Sequence, residues 1–163
     1  FLTVFLCFLC QYCLFSKANK IKKTSLSSTI IGSKNKIHQK EEANMSILSK
    51  ILVTLVAIEF FYIMYIETVR TDSDTTSRVF KMNKEELSRK SVQTLFKNQG
   101  VYNGLLGVGL LYGAYLSSAP KEITSMLLLS IFIVALYGSL TSDRWILLKQ
   151  GGLALLALLS IFF

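Results

Sequence analysis

From residue 45 onward the chain contains neither cysteine nor histidine, because Cys7, Cys10, Cys13 and His38 all precede Met45. Disulfides, thiol chemistry, histidine-ligated haem or zinc, and Cys/His nucleophilic sites are thereby excluded for 45–163, whatever its fold. No metal site and no cofactor is implied. Proline is nearly absent as well, with Pro120 alone, in a chain that is 52% hydrophobic with a mean hydropathy of +0.47 and yet a formal charge of +8. Soluble domains rarely combine these values, and here the charged and apolar residues are segregated along the chain rather than interleaved.

Basic residues are also scarce where they would matter for nucleic acid. Lys17, Lys20, Lys22, Lys23, Lys34, Lys36 and Lys40, set against Glu41 and Glu42, place +5 of the charge before Met45 and leave +3 for the remainder. That excess is no nucleic-acid footprint, and no basic stripe carries aromatics between its charges for base stacking. The expected partners are the lipid bilayer and a small amphipathic ligand. Oligomeric state is not legible.

Residues 1–44 read as a translated upstream leader or a disordered basic extension. Residues 1–15 are apolar and 16–44 basic and polar. A signal peptide would need a positive n-region before the apolar core and a small-residue cleavage site after it, and neither is present. Crossing the hydrocarbon takes roughly 20 apolar residues, more than this stretch offers. The run Lys40-Glu41-Glu42 can be encoded AAG-GAG-GAN, a purine-rich ribosome-binding sequence just before Met45, so Met45 is the expected start of the body.

For 45–163 the fold class expected is all-α: a four-helix transmembrane bundle with spans at about 47–66, 99–118, 123–140 and 145–163. Each stretch has about the length a bilayer demands, and backbone amides in hydrocarbon must bond within their own segment. The first link holds Arg70, Arg78, Lys81, Lys84, Arg89, Lys90 and Lys97, and the third adds Arg144; only Lys50 and Lys121 stand opposite. The positive-inside bias puts both basic links in the cytoplasm of a bacterial cell and both ends of the 45–163 body outside. Within the first link, Asn83 followed by Glu86 marks a helix start, with Leu87, Val92, Leu95 and Phe96 on an apolar side. The expectation is an interfacial amphipathic helix that runs into the second span.

Polar side chains inside spans are costly and usually face the bundle interior. Glu59, Tyr62 and Glu67 lie on the first helix, where Glu59 is roughly 12 Å from Glu67 at the cytoplasmic end. The second helix opens there with Asn98, Gln99 and Asn103, of which 99 and 103 share a face. Tyr137, Ser139 and Thr141 end the third helix, and Trp145, Lys149 and Gln150 start the fourth. The expected result is a polar cluster in the cytoplasmic half, with an outer half of Leu, Ile, Val, Ala and Gly apart from Lys50. Gly100 with Gly104, and Gly109 with Gly113, form small-xxx-small pairs suited to close helix packing; Gly104 and Gly107 could alternatively leave room for a ligand.

The runs E-F-F-Y-I-M-Y-I-E at 59–67, N-Q-G-V-Y-N-G at 98–104, Y-G-S-L-T at 137–141 and K-Q-G at 149–151 resemble a bacterial membrane family, domain of unknown function number 1304. The resemblance covers essentially all of 45–163. It implies a four-span inner-membrane protein and no particular activity. The family pattern has a histidine directly after the first glutamate, where this chain has Phe60, so a function needing that imidazole is not carried over.

Three roles suit the cluster. It can be purely structural, with Gln99, Asn103, Tyr62 and Gln150 bonding between helices and Lys149 snorkelling or pairing with Glu59. It can bind or move a small amphipathic compound. Least supported is an isomerase or hydrolase using Glu59 as general acid or base, because no activated nucleophile or phosphate loop accompanies it.

Overall fold

The computed structural model describes residues 44–163, which form helices and connecting turns with no strand. The expectations for 1–44 lie outside the described residues. Six α-helices follow one another: α1 (Ile47–Thr68), α2 (Asp74–Phe80), α3 (Lys84–Leu87), α4 (Lys90–Leu111), α5 (Pro120–Thr141) and α6 (Gly152–Phe162). α4 continues through a π-helical turn, Tyr112–Leu116, and a second π turn, Leu147–Gly151, leads into α6.

Local chemistry explains the starts. Ser46 Oγ accepts the backbone N–H of Ser49 at 3.1 Å and caps α1. Ser73 and Asn83 do the same for α2 and α3, through the N–H groups of Thr76 and Glu86. Each supplies an acceptor to an otherwise orphaned donor. Pro120 opens α5, where a missing N–H costs nothing.

α1 packs against α4 and α6, and α5 packs against α6 and against α4 with its π turn, so the four long rods close a ring with α1 and α5 on the diagonal. Val53, Val56, Ala57 and Phe60 of α1 meet Leu110 and Ala114, Leu128 and Ile131, and Ala154, Ala157 and Ile161 in a common core. At one end of the ring, Lys81 Nζ lies 2.9 Å from Asp143 Oδ2, joining the α1–α4 link to the α5–α6 turn. At the other, Ser49 Oγ donates to the Ser160 carbonyl at 2.7 Å, and the hydroxyls of Thr54 and Tyr115 are 2.8 Å apart. Successive rods therefore alternate in direction. Ile47–Thr68 and Pro120–Thr141 are long and apolar enough to cross a membrane, whereas the apolar stretch Leu147–Phe162 is shorter.

The α1–α4 link departs from expectation. In place of one amphipathic helix running into the second span, α3 is a single turn. Ser88 Oγ bonds the Lys84 carbonyl at 2.7 Å, and Arg89 adopts an extended conformation before α4 begins at Lys90. α4 thus starts nine residues before the hydropathy-defined boundary at 99. α2 was not anticipated either. Its Thr76 is fully buried and donates to the carbonyls of Ile66 and Arg70, which fastens the link over the end of α1. Phe80 meets Phe96 edge to face, with centroids 4.9 Å apart.

Candidate functional site

The α1–α4 seam is built on glycine. A Cβ on Gly100 would stand 2.6 Å from Thr68 Cγ2, 3.0 Å from Glu67 Cβ and 3.1 Å from the Met64 carbonyl oxygen; on Gly107 it would meet the Phe61 ring and the Ala57 carbonyl. At Gly104 the space is taken by the Met64 thioether. Gly109 and Gly113 face the other way, toward Leu127 and toward Ile123 and Thr124 of α5. One helix therefore presents small residues to two neighbours. Gly107 belongs to the first face although only Gly100 and Gly104 were paired there on spacing.

Close approach brings Asn103 and Glu67 together. Asn103 Nδ2 donates to Glu67 Oε2 at 2.6 Å between two buried residues. The Glu67 carbonyl also accepts from Thr71 Oγ1 at 2.8 Å. Each group of this pair satisfies the other, as buried polar groups must.

The rest of the expected cluster does not converge. Tyr62, Asn98, Tyr137, Thr141 and Lys149 are exposed, and Gln99 and Gln150 are half-buried. Lys149 does not pair with Glu59: its charge acts on Asp143, and Glu59 Oε2 is buried with no hydrogen-bond partner among the described residues. A long lysine stem lets the ammonium reach outward past apolar neighbours, which is why depth along the helix does not fix its partner. The opposite end is also less apolar than expected, since Ser49, Thr54, Tyr115 and Ser160 bond there and Thr124 is buried.

At the basic end, hydrogen bonding from Lys81 holds the Asp143 carboxyl below the usual carboxylate range, and Lys84 does the same for Asp74 from 2.6 Å. Among the described residues no group of three or more His, Cys, Asp or Glu side chains is arranged to hold a metal ion.

The profile of a family described as protein of unknown function, DUF1304, matches residues 54–162. The "Uncharacterized protein YpaA" of Lactococcus lactis subsp. lactis (strain IL1403) is 66% identical over 119 residues, which is 73% of this chain and all of the relative. No solved structure matches. The glutamate- and amide-bearing seam and the glycine faces described above lie within the matched region, and the chain belongs to the DUF1304 family.

Proposed function

We propose that residues 45–163 form an integral protein of the bacterial cytoplasmic membrane that crosses the bilayer four times and binds or moves a small amphipathic molecule. The observation that carries the membrane reading is the outward face of all four rods. Ile51, Leu55 and Ile58 on α1, Val101, Leu105 and Val108 on α4, Ile133 and Val134 on α5, and Leu148 and Leu156 before and within α6 are all exposed. In water such a continuous apolar surface would drive aggregation; in lipid it is the ordinary exterior. The interior also holds small and polar residues beside its apolar core: Ala57, Ala154, Ala157, Ser49, Thr124, Asn103 and Glu67 are all buried. Exposed Trp145, Tyr137 and Tyr62 toward one end, and Tyr112 and Tyr115 toward the other, suit two aromatic belts. The shortest rod, from residue 147, spans about 24 Å, and Trp145 and Ile146 extend it toward the hydrocarbon thickness.

The Lys81–Asp143 contact supports a common, cytoplasmic side for both basic links, with both ends of the body outside. Single cysteines test this in a background with Cys7, Cys10 and Cys13 replaced by serine. An impermeant maleimide added to intact cells is expected to label Ser118→Cys and spare Ser142→Cys. The reverse pattern overturns the orientation, and recovery in the soluble fraction overturns the membrane reading.

Within the bundle, the Glu67–Asn103 pair supports a structural role, because the Asn103 amide N–H and a Glu67 carboxyl oxygen bond each other across the α1–α4 seam. Glu59 supports binding, because one of its carboxyl oxygens is buried with no hydrogen-bond partner among the described residues. Intact mass measurement of the native protein tests the accompanying proposal that synthesis begins at Met45; a product that retains Cys7 refutes it.

A further inference from the structure

Glu59 sits in a definable place. Ala57, Phe61, Met64 and Glu67 face α4, as the glycine contacts and the Asn103 bond require. Glu59 is two residues from both Ala57 and Phe61, hence about 160° round the helix from each. Of the long rods, α1 meets only α4 and α6 closely, so the half-buried Glu59 borders the α1–α6 seam and its outer rim. The Ser49–Ser160 hydrogen bond sets the register there. Counting ten residues down α1 from Ser49 reaches Glu59, and ten back along the antiparallel fourth rod reaches Gln150, at nearly the same depth. Gln150 is half-buried and lies in the π turn Leu147–Gly151.

A carboxyl group in hydrocarbon is stable as a neutral acid or against a cation, and it needs hydrogen-bond donors for its oxygens. Among the described residues no cation pairs with Glu59. Lys149 is exposed and acts on Asp143, and Lys50 lies nine residues away near the far end of α1. Tyr62 of α1 and Leu148 of the fourth rod are exposed.

Resting on the ligand-binding reading above, we propose that the α1–α6 seam takes the ammonium head of an amphipathic primary amine, with Glu59 as its counter-ion, the Gln150 amide oxygen as a second acceptor and the alkyl chain lying along the apolar exterior. Donation to the unpartnered oxygen requires an N–H, and a primary ammonium carries three, enough for both acceptors; a quaternary one offers charge and no donor. Glu59 lies roughly 12 Å beyond Glu67 along the helix, too deep for a phospholipid headgroup in its own leaflet, so the amine is a free one.

The test is calorimetric titration of the full chain, in vesicles of phosphatidylcholine and phosphatidylglycerol, with dodecylammonium and with dodecyltrimethylammonium. Dodecylammonium is expected to bind saturably, at least tenfold more tightly than the quaternary analogue. Glu59→Gln, nearly isosteric, is expected to weaken it at least tenfold, and Gln150→Ala several-fold, with unchanged helical circular dichroism and melting. Added phosphatidylethanolamine should not compete; competition assigns the site to a lipid headgroup and overturns the free-amine proposal. Equal binding of both probes, or undiminished binding by Glu59→Gln, overturns it too. If native mass spectrometry then finds another retained molecule that Glu59→Gln loses, the broader ligand-binding reading stands without this one. If nothing is retained, both fall.

Discussion

The two seams along α1 are built in opposite ways. Against α4, glycine lets the backbones approach until side chain meets main chain, and the polar residues at the contact, Glu67 and Asn103, hydrogen-bond each other. Toward α6, Val53, Val56 and Phe60 share an ordinary apolar core with Ala154 and Ala157, and the polar residue at its edge, Glu59, keeps an oxygen unused. A buried polar atom left without a partner destabilises the fold that contains it, whereas a matched pair of the same chemistry is neutral or better. The contrast assigns stability to one seam and leaves chemical capacity in the other.

The sharpest way to break this comparison is to fill the tight seam. Gly100→Leu would drive a side chain into Glu67 Cβ and the Met64 carbonyl, neither of which can rotate aside. The expected loss is about 3 kcal/mol, read as a drop in the melting temperature of the purified protein. Gly104→Ala should cost far less, because its obstacle is the mobile end of Met64. Equal effects at the two positions would mean that the α1–α4 contact is looser than the glycine geometry requires.

Next in size is a pair of polar deletions with opposite signs. Asn103→Ala strands the buried Glu67 carboxyl and is expected to cost about 1–2 kcal/mol. Glu59→Leu removes an unpartnered buried group and should leave stability unchanged or raise it by about 1 kcal/mol. Denaturant titration in a mild detergent measures both. A Glu59→Leu protein as destabilised as Asn103→Ala would make Glu59 a structural group and erase the distinction between the seams.

The smallest effect belongs to the basic end. Asp143 and Asp74 are held below their ordinary range by Lys81 and Lys84, so their contribution is complete at neutral pH and is lost as pH falls through those lowered values. These groups are solvated, so salt screens the attraction. Lys81→Ala should lower the neutral plateau of a stability-pH profile slightly and leave its acid end alone, so that the acid limb becomes shallower.

Much of this arrangement was legible in the residues. Long apolar runs mark the rods because hydrocarbon-like length and continuity are written in composition, and Asn83 announces a helix start through its side-chain acceptor. The beginning of α4 was not visible: hydropathy registers where apolar residues begin, while Lys90, Thr94 and Lys97 extend the same helix into polar surroundings without changing its hydrogen bonding. α2 carried a weaker signal, Ser73 before Asp74 with Arg78 in its last turn, in a stretch with no apolar period. The acidic and amide residues of the site were nameable, and Gln99 and Asn103 were placed on one face. Which of them meets Glu67 depends on rotation of α4 about its axis, fixed by Gly100, Gly104 and Gly107 together. Depth along a helix says nothing of azimuth, and that is why Tyr62, Tyr137 and Lys149 were expected in the cluster although they lie exposed.

The hydroxyl of Ser49 bound to the carbonyl of Ser160 has a mechanical consequence. It bridges the first turn of the first rod and the last turn of the last, so a force applied at both extremities travels directly across α1 and α6. α4 and α5 would remain slack until that bridge parts, and forced extension should therefore begin at the Glu59 side of the molecule while the glycine-lined seam is still intact.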